Sequence, residues 1–272
     1  MTPDATTTTI TFDDGAAYER YMGHWSRLAG QTFLDWLAAG PGLRWLDVGC
    51  GNGAFTGLIF DRCAPAAVHG VDPSAEQIAY ARTRFAGRPA AQFEIADAMA
   101  LPRPAGSVDV AVMPLVIFFV PDPPRGVAEM ARVAAPGAHV AAYAWDMTAG
   151  GFPYDVLWRT MRDAGLTVPM PPSPDASRLD VLGELWRGAD LADVEARRID
   201  VERTFADFDE YWATVLNGPS VGRTLRALDS AQREQMKSTL RAALPADSAG
   251  RITCRAWANA VKGRVVARAS AS

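Results

Sequence analysis

Five short, almost continuously apolar runs, separated by segments of helical periodicity, constrain this chain more than any other feature. The runs are Arg44 to Val48, Val68 to Val71, Gln92 to Ala96, Val108 to Met113 and Ala138 to Trp145. Between them, Ala54 to Arg62 carries Phe55, Leu58 and Ile59 at helical spacing. Ser74 followed by Gln77 resembles a capping box. Asp122-Pro123 marks a helix start, with Val127, Met130, Ala131 and Ala134 on one face. Strand and helix alternating at this pitch predict βαβ units and a mostly parallel sheet covered on both faces. Burial on both faces is why the runs are continuous rather than alternating.

The flanks read differently. Residues 1–15 form a polar leader with little to bury, and Ala16 to Ala39 carries Tyr21, Trp25, Leu28, Phe33 and Leu37 at spacings of one or two amphipathic helices. After Asp146 the rhythm changes. A helix is expected from Tyr154 to Ala164, then a proline-rich loop through Pro174, a strand from Asp193 to Phe205, helices at Phe208 to Leu216 and Ser230 to Leu244, and a last strand from Arg251 to Val266.

Composition narrows the function classes. With 272 residues, 49% of them hydrophobic, the chain has ample length for a core. A net charge of −4 with scattered basic residues argues against a general nucleic-acid surface. No stretch reaches the ~18 apolar residues of a membrane span, and Ala111 to Val120 is short and contains Pro114. The polar N-terminus lacks a signal-peptide profile, and three cysteines, an odd and widely spaced set, suit a reducing cytoplasm better than a disulfide framework.

The chemistry concentrates at Trp45-Leu46-Asp47-Val48-Gly49-Cys50-Gly51-Asn52-Gly53, between the first strand and its helix. Glycines there let the backbone approach a ligand where a Cβ would clash. The next strand ends in Asp72, nineteen residues after Gly53, where a carboxylate can accept bonds from a ribose diol. Two ligand classes use this layout. A dinucleotide site wants G-x-G-x-x-G with its pyrophosphate on the helix N-terminus. Here the pattern is G-x-G-x-G, and Asp47 beside it would repel a pyrophosphate but suit a ligand with sulfonium and ammonium groups. The physics favours S-adenosylmethionine over NAD.

These residues resemble the class I S-adenosylmethionine-dependent methyltransferases, in particular the small-molecule, ubiquinone-biosynthesis-like (type 11) branch. The resemblance covers Tyr18 to Trp145 well and the rest loosely. It implies a Rossmann-like seven-stranded sheet, mostly parallel with the last strand antiparallel, helices on both faces, an N-terminal helical cover and C-terminal helical insertions. On that reading residues 16–266 form a single domain, with a cover at 16–40, a cofactor-binding core at 44–146, acceptor-side insertions and a strand at 147–250 and the last strand at 251–266; residues 267–272 are a tail.

The resemblance also implies site residues. The segment holding Asp47, Gly49, Cys50, Gly51 and Gly53 surrounds the methionine moiety of the cofactor. Asp72 holds the ribose with Pro73 and Ser74 beside the adenine, Asp97 and Ala98 read the adenine edge, and Met113 and Pro114 lie near the methionine chain. In Tyr18 to Leu28, Tyr21, Met22 and Trp25 shield the cofactor and Arg27 pairs with its carboxylate. Many relatives carry a histidine where this chain has Phe118, so a ready-made imidazole base is absent there.

The remaining candidates are few. His24, on the covering helix, is the one histidine considered for proton transfer; His69 and His139 sit in expected strands, and no two histidines have metal-ligand spacing. Cys50 reads as a packing residue of the turn. Gly218 to Gly222 fits the G-x-S-x-G of a hydrolase elbow, but the preceding segment reads helical and no histidine follows, so it is taken as a helix-to-helix turn. Phe118, Tyr154, Trp158, Trp186 and Trp212 are candidates for an acceptor pocket. The expectation is metal-independent methyl transfer to a small, apolar or aromatic acceptor, releasing S-adenosylhomocysteine, with no nucleic-acid or membrane partner. Oxygen, nitrogen and carbon acceptors, and any oligomeric state, stay open. An NAD(P)-dependent oxidoreductase and a non-catalytic binding module are the alternatives.

Overall fold

The computed structural model describes residues 19–218 and 221–266. The leader, residues 16–18, Ser220 of the elbow motif and the tail at 267–272 lie outside the described residues.

The alternation folds as expected. β1 (Arg44–Val48), β2 (Ala67–Asp72), β3 (Ala91–Ile95) and β4 (Val108–Pro114) alternate with α2 (Ala54–Cys63) and α3 (Ala75–Arg84), following α1 (His24–Leu37). After α4 (Pro123–Val133) comes β5 (Ala134–Trp145); α5 (Asp155–Asp163), α6 (Leu179–Gly188) and β6 (Leu191–Phe205) follow. α7 (Phe208–Leu216), α8 (Val221–Ala227), α9 (Ser230–Ala243) and β7 (Ile252–Val265) end the described chain. The sheet has seven strands in the order β3-β2-β1-β4-β5-β7-β6. β1 to β5 run parallel, and β7 is antiparallel to β5. The order reverses between β1 and β4, and in such sheets ligands bind outside the carboxyl ends of the strands at that reversal.

Local chemistry explains the boundaries. The Ser74 hydroxyl accepts the Gln77 amide at 3.3 Å and opens α3. Asp122 accepts the Arg125 amide at 3.2 Å ahead of two prolines in the first turn of α4. β5 starts four residues before the expected Ala138: Ala134 pairs with Val108, the strand bulges through Pro136-Gly137, and His139 then meets Val110. A proline, which has no amide to donate, and a glycine at φ 78° suit a bulge rather than a turn that ends the element. Two short helices, α6 and α8, were not singled out from the sequence. α7 ends at Leu216, so the segment before Ser220 is a helix and not the strand a hydrolase elbow requires.

The described chain packs as two compact units. One comprises residues 25–152, 172–201 and 256–266, and the other residues 19–24, 153–171, 202–218 and 221–255. In the first, Trp186 is fully buried and its indole N–H donates to the Val140 carbonyl at 2.8 Å, which makes it a core residue of that unit. In the second, Tyr21 stacks on Tyr154 at 4.2 Å and the Tyr154 hydroxyl donates to the Tyr21 carbonyl at 2.7 Å. Tyr211 meets Phe205 edge-on, and Phe208 lies parallel to Trp212. Among the described residues no helix is long and apolar enough to cross a membrane.

Candidate functional site

The glycine turn leaves β1 in a left-handed conformation three times, with φ of 73° at Gly49, 51° at Gly51 and 79° at Gly53. At Gly49 a Cβ would sit 2.4 Å from the Val116 side chain, so the segment leaving β4 clamps the turn. At Gly53, which precedes α2, a Cβ would come within 2.8 Å of the Phe85 ring. Both positions therefore need glycine for space as well as for φ.

The turn consumes its own donors. The Gly49 and Cys50 amides bind the Val71 carbonyl at 2.7 and 3.0 Å, and the Gly53 amide binds the Cys50 carbonyl at 2.9 Å. The Ala54 amide goes to the Asn52 side chain at 3.1 Å, and the Gly51 amide goes to the Asp72 carboxylate at 3.0 Å. A pyrophosphate cradle needs such amides free and pointing at the ligand. With them occupied and two carboxylates beside them, the dinucleotide alternative finds no support.

Asp47 is fully buried. Thr56, in the first turn of α2, donates its hydroxyl to Asp47 Oδ2 at 2.6 Å, while Oδ1 has no hydrogen-bond partner among the described residues. Burial pushes the Asp47 carboxyl up to about 7, the neighbouring Asp72 charge adds to this, and the Thr56 bond opposes it. A buried carboxylate with a bare oxygen is costly unless a ligand completes it.

Asp72 ends β2 half-buried. Its Oδ1 accepts the Ser74 amide at 2.9 Å and its Oδ2 the Gly51 amide. Burial raises its pKa against the pull of these two amides. A carboxylate offers about four lone-pair positions, so two amides leave capacity for a diol. Cys50 packs with Ile78, Ala81 and Phe93; burial, with Asp47 and Asp72 adding to it, pushes its thiol well up. It is a packing residue and not an activated nucleophile.

The other expected residues distribute as follows. Pro73 and Asp97 are exposed, Ala98 is partly buried, and Asp97 Oδ1 accepts the Met99 amide at 2.8 Å. Met113 and Pro114 are buried at the end of β4. Phe118 is buried edge-on to Phe119, and its carbonyl accepts the Ser173 amide at 3.0 Å. Trp25 is buried, while Arg27, in the same unit, is exposed. Tyr21, Met22, Tyr154, Trp158 and Trp212 are buried in the second unit, which also holds His24, whose side chain is exposed.

Sequence reasoning missed three contributors. Thr56 stands nine residues after Asp47, and no motif links them. Asn52 caps the turn from inside the glycine motif, a role its residue type suggests. Leu115 adopts φ 60° directly after β4, a conformation rare for a residue with a γ-branched side chain, and its amide binds the Tyr143 carbonyl at 2.7 Å.

With this geometry in place, the comparisons with known proteins agree. Residues 46–142 match a family described as a methyltransferase domain. Over that core the chain is similar to a methyltransferase domain. It is 33% identical over 124 residues to a malonyl-[acyl-carrier protein] O-methyltransferase of Pectobacterium atrosepticum, covering 46% of this chain and 47% of that protein. The chain thus spans about half the length of that curated relative, and 32% of another. Among solved structures, the YcgJ protein of Bacillus subtilis superposes with a TM-score of 0.59 at 18% identity, covering 90% of this chain and 99% of that one. A phosphoethanolamine N-methyltransferase of Haemonchus contortus, in complex with S-adenosyl-L-methionine, superposes with a TM-score of 0.58 at 18% identity, covering 97% of this chain and 59% of that one. At these identities the structures speak for the methyltransferase fold alone.

Proposed function

We propose that this protein binds S-adenosylmethionine at the turn after β1 and transfers its methyl group to a small, apolar or aromatic acceptor without a metal. The observation that carries the reading is Asp47, fully buried, with one oxygen bonded to Thr56 and the other bare. Such an oxygen suits the ammonium of the methionine moiety. Asp72 suits the ribose, Pro73, Ser74, Asp97 and Ala98 the adenine, and Met113 and Pro114 the methionine chain. Tyr21, Met22 and Trp25 shield the cofactor, Arg27 pairs with its carboxylate, and Phe118, Tyr154, Trp158 and Trp212 contribute to acceptor binding. The sulfonium supplies an activated methyl group; an acceptor lone pair attacks that carbon and displaces the thioether, and the S–C bonding pair stays on sulfur. The chain's own work is alignment and exclusion of water. The acceptor proton leaves to solvent, or through His24. Cys50, Cys63 and Cys254 are free thiols, two of them buried, consistent with activity in the cytoplasm.

The test is release of S-adenosylhomocysteine across a panel of phenols, amines, carboxylic acids and tRNA, with and without EDTA. Turnover of a small acceptor that survives EDTA is expected. Activity confined to RNA, or abolished by EDTA and restored by magnesium, contradicts the reading.

A further inference from the structure

Trp145 is the last residue of β5 and is 2% exposed, yet its indole N–H has no hydrogen-bond partner among the described residues. A buried donor left unmade is unfavourable and calls for an explanation. The neighbouring core shows the ordinary solution, since the equally buried Trp186 donates to Val140. Trp45 also lacks a partner, but it is the second residue of β1, whereas Trp145 stands at the ligand end of its strand.

The sheet register places Trp145 more closely. Asp47 pairs with Val112 and Val112 with Ala141, so these residues share one face and one level. Tyr143 and Trp145 follow on that same face by the two-residue period of a strand. Tyr143 confirms the side, packing on Phe33 of α1 and Phe55 of α2. Trp145 therefore lies on the face of Asp47, two strands across and four residues further on, roughly 13 Å along the strand at ~3.3 Å per residue. Pro114, the last residue of β4, pairs with Tyr143, so β5 carries Trp145 past the end of its neighbour.

Its backbone is held there. Asp146, the next residue, accepts the Thr148 amide and hydroxyl, the Ala149 amide and the Asn259 side-chain amide. Its own amide donates to the Trp257 carbonyl at 3.3 Å. Among the described residues the indole is thus a fixed donor with no acceptor, on the face and at the end of the sheet where Asp47 Oδ1 is a fixed acceptor with no donor.

We propose that the Trp145 indole N–H orients the methyl acceptor by donating to an oxygen of that molecule, so that the preferred acceptors are phenols or carboxylic acids rather than amines. This rests on the methyl-transfer reading above and narrows its substrate class. An indole N–H can only donate, so an ammonium finds no partner at that point, and a neutral amine would spend on it the one lone pair that must take the methyl group. A phenol oxygen and a carboxylate both present the lone pair it needs.

The experiment is heteronuclear NMR of the full chain labelled at its tryptophan nitrogens, with Trp145→Phe and Trp45→Phe assigning two indole signals. Saturating S-adenosylhomocysteine is added first, then phenol, benzoate or cyclohexylamine separately. The Trp145 signal is expected to move downfield with phenol or benzoate and not with the amine, while the Trp45 signal stays in place. Trp145→Phe should weaken binding of the responding probe about tenfold and leave S-adenosylhomocysteine affinity within about twofold. If Trp145→Phe does not fold, Trp145→Tyr assigns the signal and the wild-type titration decides. No indole signal responding to phenol or benzoate, or one responding to cyclohexylamine alone, overturns the proposal. So does a Trp145 signal that shifts fully with S-adenosylhomocysteine and no further, which would assign the donor to the cofactor. Failure to bind S-adenosylhomocysteine at all would instead sink the methyl-transfer reading, and this inference with it.

Discussion

Asp47 and Asp146 are both buried aspartates of the sheet-bearing unit, one within β1 and one directly after β5, yet their surroundings are opposite. Asp146 Oδ1 receives three donors from Thr148 and Ala149, and its Oδ2 receives Asn259 at 2.9 Å. Burial alone would raise its pKa, but these bonds outweigh that and hold the carboxyl below its ordinary value. Asp47 has one donor, one bare oxygen and a pKa pushed up to about 7. A satisfied carboxylate builds a loop, whereas an unsatisfied one in a protein of marginal stability points to a ligand that completes it.

The largest effect should come from breaking the satisfied member. Asp146→Ala orphans the loop donors and leaves the Asn259 amide only its bond to the Ser177 carbonyl, at a cost on the order of 3 kcal/mol, which lowers Tm by about 6–12 °C. A shift of less than ~2 °C in a thermal melt would mean that this network holds little together.

Asp72 tests the middle ground, since it serves both the turn and the proposed ribose. Asp72→Ala should weaken S-adenosylhomocysteine binding by about 1.5–3 kcal/mol through loss of charge-assisted bonds. Unaltered affinity by calorimetry would put the ribose elsewhere.

A third effect is a slope with pH. Asp47 in the folded chain titrates at about 7 against an ordinary value of 3.8. Its protonated form is the one favoured by folding, so its contribution is whole below about pH 4 and fades as pH rises through about 7. In the ligand-free protein, wild-type Tm should therefore fall relative to Asp47→Asn between about pH 5 and about pH 8. Asp146 works in the opposite sense, contributing above its ordinary pKa and losing that contribution in acid. Parallel wild-type and Asp47→Asn curves would show that Asp47 is not strained in the way described.

Much of this arrangement was legible before folding, for identifiable reasons. The limits of β1 at Arg44 and Val48, the helix caps at Ser74 and Asp122, and the glycine turn all follow from local chemistry within a few residues. The Thr56 bond, the Val116 clamp on Gly49 and the Leu115 conformation depend on where separate elements meet, and tertiary contact leaves no periodic trace in a sequence. The Asp146–Asn259 bond joins residues 113 positions apart. The early start of β5 was hidden by Pro136-Gly137, which reads as a turn until a partner strand imposes a bulge.

The most direct measurement is calorimetric titration of S-adenosylhomocysteine, S-adenosylmethionine and NAD into the wild-type chain and Asp47→Asn near neutral pH. The account predicts that both adenosyl ligands bind the wild type, that Asp47→Asn weakens both about tenfold or more through a lost charge-assisted bond, and that NAD gives no heat of binding. Binding of NAD without either adenosyl ligand, or an Asp47→Asn protein with wild-type affinity, would contradict it.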